Sequence, residues 1–264
     1  MMDSRIHLAA LTCLILLVFM LPVPGAGQAI LNVEALQGNE EEGIHAEVSG
    51  NLRLASGNTD LFQVGGDLGF GYLGERHWIR GFAGMERLER KGKDILNNRY
   101  VHVRYNYRFS PWFRTFHFIQ LQANENLFLD RRFLLGTGLR LRVLGGADSH
   151  LEVGSGLMLE AERLNEGKLA PGEDPETQVV RLANLVVGSG PVGDGNRWVT
   201  VLYYQPNLEG FADYRLSGEF GLKVQLISSL QLDVTLTWRH DNRVPEGLEE
   251  DDFGFRTGFT YHIR

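Results

Sequence analysis

The sequence is almost without cysteine: one residue in 264, Cys13, and it sits in the apolar amino-terminal segment. An intrachain disulfide framework is thereby excluded, and a thiol-free mature chain suits export to an oxidising compartment. Basic charge is also short. Twenty-six Lys and Arg stand against 33 Asp and Glu, a net charge of -7, and no clustered basic stretch is visible along the chain. That excludes a nucleic-acid partner, which needs such a surface to hold phosphates. Long apolar runs are missing after the amino-terminal segment, so no later stretch can cross a bilayer as a helix of ~20 residues. A nucleophile, base and orienting group at recognisable spacing are missing as well. His45, His102, His117, His240 and His262 are scattered over separate segments. They read as lumen or interface residues, and the chain reads as a non-enzyme with no cofactor and no metal.

What is abundant is glycine and aromatics: 32 Gly, 15 Phe and 8 Tyr, the usage of a turn-rich β protein. At the amino terminus Arg5 precedes an apolar stretch at 8–21, Pro22 and Pro24 break it, and the small residues Gly25, Ala26, Gly27 and Ala29 follow. This is the pattern of a secretory signal peptide over 1–29, cleaved after Ala29. Residues 30–42 then form a short periplasmic segment, and 43–264 form one barrel domain.

From residue 43 onward one period repeats. Ile44, Ala46, Val48, Leu52 and Leu54 alternate with His45, Glu47, Ser49, Asn51 and Arg53. Phe62, Val64, Leu68, Phe70 and Tyr72 alternate with Gln63, Gly65, Asp67, Gly69 and Gly71. Six later segments do the same, whereas those near 78–90, 177–190 and 198–206 alternate poorly and are placed by spacing. Period two with one apolar and one polar face is the signature of a strand. About twelve strands of about ten residues each predict an antiparallel up-and-down transmembrane β-barrel in a bacterial outer membrane, apolar face to lipid and polar face to the lumen. A soluble exported β protein that binds a ligand has the same parity and is the competing class, as is a lipid-modifying hydrolase in the barrel wall. The longest connections, at 165–176, 206–214 and 241–252, fall on the side where barrels carry their external loops; 189–197 is a long exception on the other side.

The stretch YNYRFSPWFRTFHF at 105–118 is a hairpin around Ser110 and Pro111. Its parity sends Tyr105, Tyr107, Phe109, Trp112, Phe116 and Phe118 outward as a membrane-interface girdle, where rings sit in the apolar zone and their polar atoms stay wet. Arg114 would then snorkel to the headgroups, and a bulge between Phe118 and Ile119 is needed to keep Gln120 from lipid. The inward row carries both signs: Glu47, Arg53, Asp67, Arg104, Arg108, Arg140, Arg142, Glu152, Glu160, Glu219, Lys223, Asp233, Arg239 and Arg256. If Arg140 or Arg142 pairs with Glu152 or Glu160, the interior is a polar plug. If water separates them, a thin channel for small polar solutes remains. The carboxylates of LEEDD at 248–252, with Glu173 and Asp174, read as a solvated rim that meets lipopolysaccharide.

The segment AEVSGNLRLASGNTDLFQVGGDLGFGY, with SGNT between two alternating strands, and the later RRFLLGTGLRLRVL resemble the family of salt-induced outer-membrane proteins, domain of unknown function 481. The resemblance runs from Glu47 to the carboxyl terminus. It implies a Gram-negative outer-membrane β-barrel of undefined activity, partnered by outer-membrane lipids, lipopolysaccharide and the barrel-assembly machinery. The chain departs from such barrels at its end, Tyr261-His262-Ile263-Arg264, where they finish on an aromatic residue.

Overall fold

The computed structural model describes residues 42–55, 61–90, 93–146 and 149–263. The expected signal peptide, most of the segment at 30–42, and the SGNT turn lie outside the described residues. The alternating segments form thirteen β-strands: β1 Gly43–Ala55, β2 Leu61–Leu73, β3 His77–Arg90, β4 Lys93–Ser110, β5 Phe113–Asn124, β6 Leu129–Gly145, β7 His150–Leu164, β8 Glu176–Leu182, β9 Asn184–Pro191, β10 Arg197–Asn207, β11 Gly210–Ile227, β12 Leu230–Asp241 and β13 Asp251–Ile263. β8 and β9 are one crossing, interrupted only at Ala183: Leu157 of β7 faces Leu182 and Gly154 faces Leu185, so the register runs through the break unshifted. β1 and β13 close the sheet, from Ala46 opposite Ile263 to Gly50 opposite Phe259. The result is a twelve-crossing, closed antiparallel barrel in which each neighbour in sequence is a neighbour in space.

The apolar rows face outward along the whole wall. Leu68 and Met85 are about 60 % exposed, and Val103, Leu121, Leu139, Leu157, Leu202, Phe220, Leu236 and Phe259 share that face. No second sheet covers it among the described residues, which separates this fold from a sandwich, where the apolar faces bury each other. Loop asymmetry is present but differs in detail from expectation. One end carries the long connections at 165–175 and 242–250, the other carries turns such as Pro111-Trp112. The stretch at 206–214 is not a loop. It is a hairpin whose turn is only Leu208 and Glu209, because the strand pattern of Asn207 and Gly210 continues across it.

The hairpin at 105–118 overturns part of the outward aromatic row. Tyr105, Tyr107, Phe109 and Trp112 lie on the outer face, but Phe116 and Phe118 are buried inside, 1 % and 2 % exposed. The turn is Pro111-Trp112, and β4 carries one extra residue at Phe109, so that Arg108 faces Arg114 and Ser110 faces Phe113. A single inserted residue exchanges the two faces of the partner strand. No bulge follows Phe118: Phe118 faces Gly136 and Ile119 faces Leu135 in unbroken register. The bulge before the turn does the same work earlier, placing Arg114, Gln120, Gln122 and Asn124 inside and giving lipid Thr115, His117, Ile119 and Leu121. An arginine on the lipid face costs up to about 2–4 kcal/mol at the bilayer centre, which favours this register.

Candidate functional site

Among the described residues the buried polar side chains gather in the lumen, and its walls are unlike one another. Against β4–β10 it is filled. Phe116 and Phe118 project from β5 over Gly138 and Gly136 of β6; a Cβ on Gly136 would stand 2.2 Å from the Phe118 ring and one on Gly138 2.5 Å from Phe116. The missing side chains make the space into which the rings pack. Leu134, Met158, Leu185, Val187, Val199, Val201 and Tyr203 complete an apolar cluster within the barrel. These inward apolar residues explain why the segments near 177–190 and 198–206 alternate poorly: both of their faces are apolar. Trp78 and Phe82, buried on the inner face of β3, do the same near 78–90.

Arg104 spans this filled half. Its guanidinium lies 5.8 and 5.5 Å from the Phe116 and Phe118 ring centres, and Nη2 donates to the Tyr203 hydroxyl at 3.2 Å. β4 and β10 are five crossings apart in the ring, so this bond joins nearly opposite walls. Beside it His102 Nδ1 shares a 3.0 Å hydrogen bond with Gln120 Oε1, and Gln120 donates to Gln122.

Two ion networks cap the filled half. At the short-turn end Glu152 takes Arg114, Arg140 at 2.7 Å and Arg142 at 3.1 Å. At the loop end Arg215 reaches Glu160 at 2.6 Å, Glu162 at 2.8 Å and Asp241 at 2.7 Å. Arg181 joins Glu160 to Asp213, both at 2.9 Å, and Arg132 pairs with Glu162. Nearby Arg239 holds Asp252. Buried ions persist only when paired and hydrogen-bonded, and here each carboxylate meets at least one guanidinium.

The opposite half, β11–β13 with β1–β3, is more open around Asp67 and Arg256. Asp67 accepts from Ser49 at 2.9 Å, Tyr100 at 2.5 Å and Arg256 at 3.2 Å. Arg256 is surrounded by Asp67, Glu219, Tyr100 and Glu86, yet 53 % of its side chain is open to water. Glu47, Lys223, Asp233 and Glu219 share this region, Lys223 lying among the other three.

Of the inward charges read from the sequence, Arg140, Arg142 and Glu152 come together, Asp67 meets Arg256, and Glu160 joins the loop-end network rather than Arg140 or Arg142. The Arg53 side chain is outside the described residues. Glu162 and Arg215, on the polar faces of cleanly alternating strands, complete the networks with Arg114, Arg132, Arg181 and Asp241, the four that the sequence reading does not place there. Arg181 hides in a poorly alternating strand, and Arg114, expected on the outer face, lies on the inner one. The even positions of β5, however, hold Arg114, Gln120, Gln122 and Asn124, and that row of polar groups was a legible sign of the inner face. His117 lies outside between the hydroxyls of Thr137 at 2.8 Å and Thr115 at 3.2 Å, whereas His240 meets Asp251 at 3.2 Å on the outer rim. Glu173 is occupied in tying loops, accepting from the backbone N–H of Ala170 and, across to the other long loop, of Glu246. Among the described residues no three His, Cys, Asp or Glu side chains are placed to hold a metal ion.

The family model described as "Protein of unknown function, DUF481" matches residues 47–263. The chain belongs to the DUF481 family. No curated protein matches this DUF481 chain. Among solved structures it is similar to the NanC porin, at 12 % identity and a TM-score of 0.51, over 82 % of this chain and 98 % of that one. It is also similar to the translocator domain of the autotransporter NalP from Neisseria meningitidis (11 % identity, TM-score 0.49, 83 % and 86 % covered) and to the KdgM porin (10 %, 0.45, 84 % and 99 %). At such identity the NanC likeness speaks to fold alone: this DUF481 chain has an outer-membrane β-barrel fold.

Proposed function

We propose that this protein is an outer-membrane wall protein of a Gram-negative envelope, a barrel that serves envelope structure and is shut to bulk diffusion. The observation that carries the reading is the bond between Arg104 and Tyr203 across the lumen, seated on Phe116 and Phe118 and closed above and below by the two ion networks. A filled, paired interior stiffens a barrel and leaves no continuous water path along that half. The apolar outer band would meet outer-membrane lipid and, at the loop end, lipopolysaccharide; insertion would depend on the barrel-assembly machinery. The reading includes no covalent chemistry. A wall hydrolase would instead show phospholipid turnover that disappears in His117→Ala or His240→Ala.

A second reading, limited passage of small polar solutes, is favoured by one fact: the half-exposed Arg256 beside Asp67 in the more open half. Planar-bilayer recording of the refolded protein separates the two. The expected result is no steady single-channel steps. Regular steps in the wild-type protein, reduced by Arg256→Trp, would overturn the shut wall in favour of passage.

A further inference from the structure

The outer wall is finished differently from one sector to the next. At the loop end of β10–β13 aromatic rings mark the boundary, Tyr204 lying 6.1 Å from Tyr214 and Trp238 6.5 Å from Phe253, centre to centre. Rings of this kind settle at a headgroup boundary. At the loop end of β4–β7 arginine takes their place. Val101, Leu121 and Phe133 form one outward row, and the next outward positions toward the loops are Arg99, Ala123 and Arg131. Arg131 faces Arg163 directly across β6 and β7, and Arg99 faces Ala123 across β4 and β5. The three arginines are exposed. Like charges set opposite each other on one sheet face repel. Arg163 does have Glu166 and Glu176, both at 3.5 Å, but these side chains are 48, 68 and 63 % exposed. Ion pairs so open to water contribute little and give way to a stronger anion. From Arg99 on β4 to Arg163 on β7 is three strand spacings, about 14 Å across. That is wider than one phosphate, and its lower edge is apolar.

We propose that Arg99, Arg131 and Arg163 form a docking face for the headgroup of lipopolysaccharide, a disaccharide with a phosphate at each end and acyl chains beneath. Planar guanidinium forks match a phosphate's oxygens two at a time, and the width of the row suits two phosphates rather than one. Ala123 leaves room for the sugar between them, while Val101, Leu121 and Phe133 meet the chains below. The inference rests on the outer-membrane reading above and names which residues hold the lipid: the arginine row, not the carboxylates of the loops. It does not depend on whether the lumen conducts.

The test is titration of rough lipopolysaccharide into the folded mature protein in non-ionic detergent, with a chelator present to remove divalent cations. Saturable binding is expected, weakened about fivefold by each of Arg99→Gln, Arg131→Gln and Arg163→Gln and on the order of a hundredfold by the three together, as the attraction of each arginine for an anionic lipid surface implies. The dephosphorylated glycolipid, and phosphatidylglycerol with its single phosphate, should bind at least about tenfold more weakly. Arg243→Gln, an exposed loop-end arginine beyond this sector, should bind as the wild type does. Equal binding by the wild type and the triple variant, an equal loss in Arg243→Gln, or equal binding of phosphatidylglycerol would overturn the proposal. So would binding that vanishes in chelator, which assigns the lipid to loop carboxylates bridged by cations. If the triple variant fails to fold, Arg131→Gln decides alone. A wild-type protein that binds no lipid and stays out of the outer-membrane fraction would overturn the outer-membrane reading as well; one that fractionates there yet binds lipopolysaccharide without these arginines overturns this inference only.

Discussion

Glu152 is the residue on which the short-turn end depends. Three arginines from two strands converge on one buried carboxylate, so neutralising it removes a counter-charge that all three share. Glu152→Gln keeps the shape and removes the charge. It is expected to lower stability by about 3–5 kcal/mol, read as a shift of the urea midpoint of the folded, heat-modifiable band. Arg142→Gln should cost much less, since that side chain is 24 % exposed and water can replace its bond; equal losses in the two variants would show that Glu152 is no hub. Arg140, Arg142 and Glu152 were legible as inward charges because their strands alternate cleanly. Pairing of Arg140 or Arg142 with Glu152 is one of the two outcomes the sequence leaves open; that Arg114 joins them is not legible, since the face of its strand depends on a bulge.

At the level of elements, β5 shows how little sets a whole surface. Phe109 is one residue more in β4 than in its partner, and with it Phe116 and Phe118 turn from lipid to lumen. The outward reading takes the turn as regular; the aromatics cannot test it, because both faces of β5 carry them, and within β5 the polar row at Arg114, Gln120, Gln122 and Asn124 is the sign that does. β6 and β7 answer to this choice with glycines. Gly156 and Gly138 stand back to back: a Cβ on Gly156 would lie 2.1 Å from the Thr137 carbonyl oxygen and 2.6 Å from the Gly138 Cα. Both obstacles are backbone, which cannot swing aside. Gly156→Ala is therefore expected to abolish the folded band on a semi-native gel, whereas Gly81→Ala, whose Cβ would meet nothing within 4 Å, should fold as the wild type does. Normal folding of Gly156→Ala would mean that β6 and β7 are less closely paired than their register states.

For the whole molecule the decisive feature is a lumen filled against β4–β10 and more open around Asp67 and Arg256. With Cys13, the one cysteine of the sequence, replaced by Ser, single cysteines can report on each half. Arg256→Cys is expected to react readily with a small, water-soluble maleimide in the folded state, and Met158→Cys, at a fully buried position, only after denaturation. Equal labelling of both would mean that water fills the bore throughout and that the apolar cluster is not packed.

The sequence alone determined the closed antiparallel barrel, its apolar outer wall and its charged interior, because period-two alternation is a local property that each strand displays on its own. It also marked the family, through the strands flanking SGNT. Only the tertiary structure decided what the interior does with its charges. The Arg104 to Tyr203 bond, the three arginines on Glu152 and the inward turn of Phe116 and Phe118 all depend on which strands face each other once the sheet closes, and on one bulged residue. Which strands face each other leaves no trace in any single segment, and the bulge leaves only the polar row of β5 at Arg114, Gln120, Gln122 and Asn124, which marks the inner face without locating the extra residue.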